Sequence, residues 1–163
     1  MQKKPLNPKA ELLRIEALCN RAEHCSYEIA EKLRRKGFPQ SQIDGMLERL
    51  IATRLIDDRR FAAAYVHSKF AYSSWGRIKI RNGLYAKRIP AEIIDEVMEQ
   101  EIDARQYTLT AFKAIRAKLR SLPPDTDRLQ ARQKLMRFAA SRGYETSLIF
   151  RILSSSALWK SGQ

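Results

Sequence analysis

The sequence predicts an all-α fold: three tandem three-helix repeat units stacked into an elongated array that is free to curve. Three observations carry this. Only Gly 6 and Pro 6 punctuate 163 residues, and no apolar segment alternates with period two for long, so the spacing is helical. Laying LRRKGFPQSQIDGML (33–47) over LYAKRIPAEIIDEVM (84–98), an offset of 51, pairs Leu33 with Leu84, Lys36 with Lys87, Pro39 with Pro90, Ile43 with Ile94, Asp44 with Asp95 and Leu47 with Met98. Placing Gly37 over Gly143 brings RKGF onto SRGY, Ile43 onto Ile149 and Leu47 onto Leu153. Self-similarity at a period of about 50 residues marks stacked units, each too small to bury its own apolar face. The one clear mismatch is Arg88, which stands where Gly37 predicts glycine.

Breaks near Ile56 and Ile102 divide the chain into residues 1–56, with an N-terminal tail, 57–102, and 103–163, with a C-terminal tail. In the first unit a helix over 8–23 carries Leu12, Ile15, Leu18 and Cys19. Ser26 is placed to cap the second helix, with Ile29 and Leu33 on its inner face, and Lys36 before Gly37 supplies a cation and a left-handed residue to end it. Ser41 opens the third helix, where Ile43, Leu47, Leu50 and Ile51 share one face. The second unit reads as helices over 58–72, 77–87 and 90–102, with Pro90 in a first turn and Phe61, Tyr65, Ile80, Leu84, Ile94, Val97 and Met98 inside. The third carries Phe112, Ile115, Leu119 and Leu122 on its first helix, breaks at PPDTD, and resumes with Leu135, Phe138, Ile149, Ile152 and Leu153. SSSALWKSGQ closes the chain as a fraying helix whose Trp159 either folds back over the last unit or meets a partner.

The stretch LIDDRRFAAAYV sets Asp57 and Asp58 immediately before an apolar helix. Carboxylates there accept the unpaired N–H groups of the first turn and favour the positive end of the macrodipole. A catalytic carboxylate pair needs a third group in a cleft, and the two histidines, His24 and His67, belong to no repeated acidic motif. There is also no Gly-rich phosphate loop, G-x-S-x-G or H-E-x-x-H. The expectation is a protein that is not an enzyme, with no catalytic residue, no cofactor and no metal. Cys19 and Cys25 form no CxxC and read as structural thiols.

Lys+Arg 31 against Asp+Glu 18 give a formal charge of +13, more than solubility requires and suited to a polyanionic partner. The excess is uneven: 12 basic and 4 acidic residues from Ile102 onward, against 8 and 7 between Asp57 and Glu101. The opening MQKKPLNPK has no apolar run behind it, and no segment is long and apolar enough to cross a bilayer, so a cytoplasmic monomer is expected. Three basic clusters are the candidate contact residues: Arg34, Arg35 and Lys36; Arg77, Lys79, Arg81, Lys87 and Arg88; and Arg128, Arg132, Lys134, Arg137 and Arg142, with Arg116, Lys118 and Arg120 nearby. They fall mostly on or beside the middle helix of each unit, where a common orientation would align them into one stripe. Tyr72, Trp75 and Tyr85 lie near the second cluster; aromatic rings beside cations suit base stacking, and equally suit a core, with Trp75 plugging a corner between helices.

One alternative is a helix-turn-helix transcriptional regulator, with SQIDGMLERLIAT as reading helix. That helix offers Asp44 and Glu48 to the groove, and DDRRFAAAYVHSKFA continues as helix where a winged version needs a hairpin.

Ser26-x-Glu28-Ile29 with Leu33 and Gly37, Ile56-Asp57-Asp58 with Phe61-Ala62 and Tyr65-Val66, Gly76 with Ile78, Ile80, Leu84, Lys87 and Ile89, and Arg142-Gly143-Tyr144 resemble successive signatures of the RecX family across roughly 26–153. The resemblance implies tandem three-helix units and a modulator of the RecA recombinase in homologous recombination, DNA repair and the SOS response. Such a protein is expected to lie in the groove of the RecA–DNA filament, bridging protomers and limiting ATP hydrolysis, strand exchange and co-protease activity. The implied partners are the RecA filament and single- or double-stranded DNA.

Overall fold

The structure is a computed structural model that describes residues 6–160. The described residues form helices α1 (Pro8–Cys19), α2 (Ser26–Lys36), α3 (Gln40–Ala52), α4 (Asp58–Ala71), α5 (Arg77–Ala86), α6 (Ala91–Glu101), α7 (Ala104–Arg120), α8 (Arg128–Ser141), α9 (Thr146–Ser154) and the single turn α10 (Ser156–Trp159), with no strand among them. The expected recurrence of three-helix units is present. Corrections concern ends and faces. α1 stops at Cys19 rather than near 23, α3 starts one residue before Ser41, and α6 starts just after Pro90, which is its N-cap. Ile51, expected inside, is half exposed, and Met46 takes the inner position one turn earlier.

The middle helices end alike. Gly37 N–H donates to Arg34 O and Phe38 N–H to Leu33 O; Arg88 and Ile89 repeat the pair onto Tyr85 and Leu84, and Gly143 and Tyr144 repeat it onto Ala140 and Ala139. The residue that turns the chain is left-handed each time, with φ of 95° at Gly37, 58° at Arg88 and 85° at Gly143. Arg88 therefore breaks the sequence repeat but not the backbone repeat, at a cost of about 1–2 kcal/mol for a side chain in that conformation.

Two apolar cores result. Ile15, Ile29, Leu33, Phe38, Ile43, Met46, Leu50 and Ile56 close the first unit on itself. A second, continuous core runs from Phe61 through Ile80, Leu84, Ile94, Val97, Tyr107, Ile115, Leu135, Tyr144 and Ile152 to Leu158, so α4–α9 share one interior, joined by Cys25 from the first unit. The second core dominates stability, since each fully buried Ile or Leu contributes about 1.5–3 kcal/mol. The chain exposes 10715 Å², against about 8,300 Å² for a compact monomer of its 18.9 kDa mass.

The units meet end to end through their middle helices. At the first joint Cys25 Sγ lies 3.9 Å from the Lys87 carbonyl, and the Lys87 ammonium pairs with Glu28. At the second, Gly76 N–H donates to Arg142 O at 2.7 Å and Ile78 N–H to Gly143 O at 3.1 Å. Each junction thus sets the carbonyl-rich end of one middle helix against the amide-rich start of another, a head-to-tail match of helix dipoles.

That arrangement explains two caps. Ser26, expected to cap its own helix, is instead its first residue, and its N–H donates 2.7 Å to Asp58 from the neighbouring unit. α5 has no side-chain cap of its own; Arg142 O, Gly143 O and the Tyr107 hydroxyl accept N–H groups from Gly76, Ile78 and Arg77. Asp57 caps α4 by accepting from Arg60 N–H at 3.0 Å, so both aspartates of the LIDDRR stretch are structural.

Candidate functional site

The basic residues divide by what neutralises them. In the first two units carboxylates neutralise many of them: Arg34 pairs with Glu31, Lys36 with Glu11, Arg49 with Glu16, Arg59 with Glu96, Arg60 with Glu23, Arg81 with Asp95 and Lys87 with Glu28. Burial works to raise Glu28, yet its bonds to Lys87 and His24 win and hold it below the ordinary range; the same bond outweighs burial at Lys87 and raises its ammonium. With Arg77, which lies 3.9 Å from Glu145, five of the thirteen candidate residues, Arg34, Lys36, Arg77, Arg81 and Lys87, are engaged by carboxylates.

In the third unit the acids are used for structure. Asp103 and Asp127 cap α7 and α8, and Glu145 accepts the buried Tyr107 hydroxyl at 2.6 Å. No cation between Ala104 and Lys160 pairs with a carboxylate among the described residues. Several lie on aromatic rings instead: Arg128 over Trp159 at 4.8 Å, Lys118 over Phe138 at 5.8 Å and Arg142 over Phe138 at 5.3 Å. Ring faces stabilise a cation without cancelling its charge, so the field stays positive.

Several of these cations gather where the second and third units join. A groove of about 630 Å³ is lined by Tyr72, Ser73, Ser74, Trp75, Lys118, Phe138 and Arg142 among others. Trp75 packs at its floor, as a corner plug would, with the Lys69 and Lys79 ammoniums 4.8 and 4.5 Å from its ring. Tyr72 stands at the rim, 81% exposed. Two ammoniums on one ring with no carboxylate partner among the described residues form a place for an anion, and an exposed tyrosine beside them offers a face for stacking. Two bonds tie its walls together: the Arg142 guanidinium donates to Ser73 O at 3.0 Å, and the Tyr144 hydroxyl to Ser74 O at 2.7 Å. Burial pushes Tyr144 up to about 12, so it stays a donor.

The other candidates are scattered. Arg77 lies 4.2 Å over the Tyr107 ring and 3.9 Å from Glu145, and Arg132 donates to Leu153 O at 3.3 Å, so both serve the joint and the core. Arg88 reaches the Tyr27 ring at 5.9 Å. Arg35 lies in a separate hollow beside Lys36 and Lys87, while Lys134 and Arg137 are exposed on α8. The candidate residues omit Lys69, although its spacing from Tyr65 within α4 and from Tyr72 at the end of that helix signals it. Carboxylates thus hold part of the cations of the first two units, whereas no cation of the third unit has a carboxylate partner among the described residues.

Known proteins share this organisation. Family models described as the first, second and third three-helix domains of RecX match residues 17–50, 57–98 and 109–153. A Regulatory protein RecX of Chlorobium phaeobacteroides is 37% identical over 81% of this chain and 83% of its own length. Another, from Chlorobaculum tepidum, is 35% identical over 77% and 75%. Among solved structures, a regulatory protein RecX superimposes with a TM-score of 0.81 at 20% identity, covering 95% of this chain and 83% of that one. RecX from Lactobacillus salivarius gives 0.76 at 18%, covering 90% and 94%. With every three-helix unit matched in order and close relatives aligned over most of their length, the chain belongs to the RecX family of regulatory proteins.

Proposed function

We propose that this chain regulates the RecA recombinase by lying in the groove of the RecA–DNA filament, bridging protomers and limiting ATP hydrolysis, strand exchange and co-protease activity. The single observation that supports it most directly is the concentration of carboxylate-free cations on the third unit and its joint with the second. A long polyanionic assembly is the partner that such an open, positively charged array fits, and the units taken as 1–56, 57–102 and 103–163 would each cover a different part of it. Regulation then follows from differential affinity: a ligand that prefers the blocked filament shifts its population by the ratio of the two affinities. In the joint groove, Lys69, Lys79, Lys118 and Arg142 are proposed to face phosphates and Tyr72 to stack on an unpaired base. The reading implies a cytoplasmic protein with no catalytic step of its own.

The test is a titration of this protein into preformed RecA filaments on single-stranded DNA while ATP turnover is followed. Turnover should fall at comparable or lower stoichiometry, and unchanged turnover with folded protein would sink the proposal. The helix-turn-helix alternative gains no support from the structure. α3 exposes Asp44 and Glu48, its Arg49 is held by Glu16, and α4 follows where a wing would be.

A further inference from the structure

The second and third units are built on one plan, which makes their differences informative. α4 and α7 both start after a capping aspartate, Asp57 and Asp103, so Arg59 corresponds to Arg105, Ala62 to Thr108, Ala63 to Leu109 and Val66 to Phe112. α6 and α9 both carry their buried residues in one pattern, Ile94, Val97 and Met98 against Ile149, Ile152 and Leu153, which sets Glu96 opposite Arg151. In the second unit, Ala62 and Val66 are fully buried beneath α6, and the Arg59–Glu96 pair clamps the two helices together with both guanidinium amines on both carboxylate oxygens.

In the third unit every part of that closure is changed. Larger side chains replace the small ones, and the ion pair becomes two arginines, Arg105 and Arg151, each exposed and with no carboxylate partner among the described residues. Like charges cannot clamp. α7 and α9 stay apart, and a groove of about 620 Å³ opens between them, lined by Arg105, Thr108, Leu109, Phe112, Arg151 and Ile152. Its floor is apolar, Leu109 is 42% exposed, and its two rims are cationic.

We propose that this groove is a docking site for an acidic amphipathic helix of a protein partner. The partner's apolar residues would lie on Leu109, Phe112 and Ile152, and a carboxylate would sit between Arg105 and Arg151, doing across molecules what Glu96 does within the second unit. Charge complementarity selects the occupant: a basic or uncharged apolar helix leaves the two guanidiniums unpaired, and a bare phosphate chain leaves the apolar floor uncovered. The site is separate from the joint groove and stands whether or not RecA is the regulated protein.

The probe is a fluorescein-labelled, helix-stapled peptide of the sequence AEIIDEVMEQE, an acidic amphipathic helix whose Glu96 carboxylate pairs with Arg59 in the second unit, titrated with the full-length chain and followed by anisotropy. Saturable binding is expected, weakened at least tenfold when the peptide's acidic residues are amidated, in Arg105→Glu, and in Leu109→Ser, which leaves the charges in place. Arg151→Glu has a second readout: it sets a carboxylate opposite Arg105, the counterpart of the Arg59–Glu96 pair, so it should raise the melting temperature while abolishing binding, an outcome that mere loss of folding cannot imitate. No saturation by millimolar peptide, or equal affinity for the amidated peptide, would overturn the proposal. So would displacement of the site's function to nucleic acid, seen as Arg151→Glu weakening an oligothymidine at least tenfold and leaving peptide binding unchanged.

Discussion

Gly76→Ala tests the joint between the second and third units. Gly76 has φ of −78°, which alanine adopts freely, so backbone strain plays no part. The obstacle is steric: a Cβ at this position runs into the carbonyl of Gly143 and the amide of Tyr144, which are backbone atoms with no rotamer to yield. Reaching ordinary contact requires the joint to open by roughly 1 Å. That separation breaks Gly76 N–H to Arg142 O and Ile78 N–H to Gly143 O, and loosens Tyr144 to Ser74. Each lost backbone bond costs about 1–3 kcal/mol when its groups stay buried, offset by about 0.4–1 kcal/mol from the stiffer unfolded chain. The net is about 3 kcal/mol, or a fall of roughly 6–12 °C in melting temperature for a chain of this size. Circular dichroism melts measure it. Gly45→Ala is the control: it lies within α3 with nothing within 4 Å, so it should stabilise by about 0.5–1 kcal/mol. A Gly76→Ala protein that melts within about 1 °C of the parent would refute the end-to-end packing of α5 on α8.

Asp58→Ala removes the carboxylate that caps α2 from across the first joint and should cost about 1 kcal/mol in urea melts, with no new cap available because Cys25 offers none. Lys134→Glu combined with Arg137→Glu should leave helicity unchanged and lower the slope of log affinity against log salt for duplex DNA by about 2, whereas Arg81→Glu, which strands Asp95, should act mainly on stability. Tyr107 and Tyr144 are raised above the ordinary phenol range by burial, so the folded state holds their protons more tightly than the unfolded one. Their contribution is complete below about pH 10 and declines as pH rises beyond it, and Tyr144→Phe should flatten that alkaline loss in melts taken from pH 9 to 12.

The local code for helices is short-range, and residues a turn apart in the chain carry it. Ile29 with Leu33, Ile94 with Met98 and the Lys-Gly ending at Gly37 state their helix, its inner face and its stop without reference to anything distant, which is why the threefold recurrence and most of the core were legible from the amino acids alone. Composition likewise located the cationic excess in the last third. What could not be read is what each end and each charge meets. Ser26 is the first residue of α2 rather than its cap, and the acceptor for its N–H is Asp58, 32 residues away. Arg88 adopts the conformation expected of glycine because the 6→1 bond from Ile89 to Leu84 holds the turn whatever the side chain. Lysines and arginines of equal formal charge part ways only when folding sets Glu28 beside Lys87 and Glu96 beside Arg59, while leaving Lys79 and Lys118 on rings and Arg105 and Arg151 facing an open groove. Helical periodicity is a property of neighbours along the chain, so sequence determines it; charge neutralisation is a property of neighbours in space, and only the tertiary structure decides it.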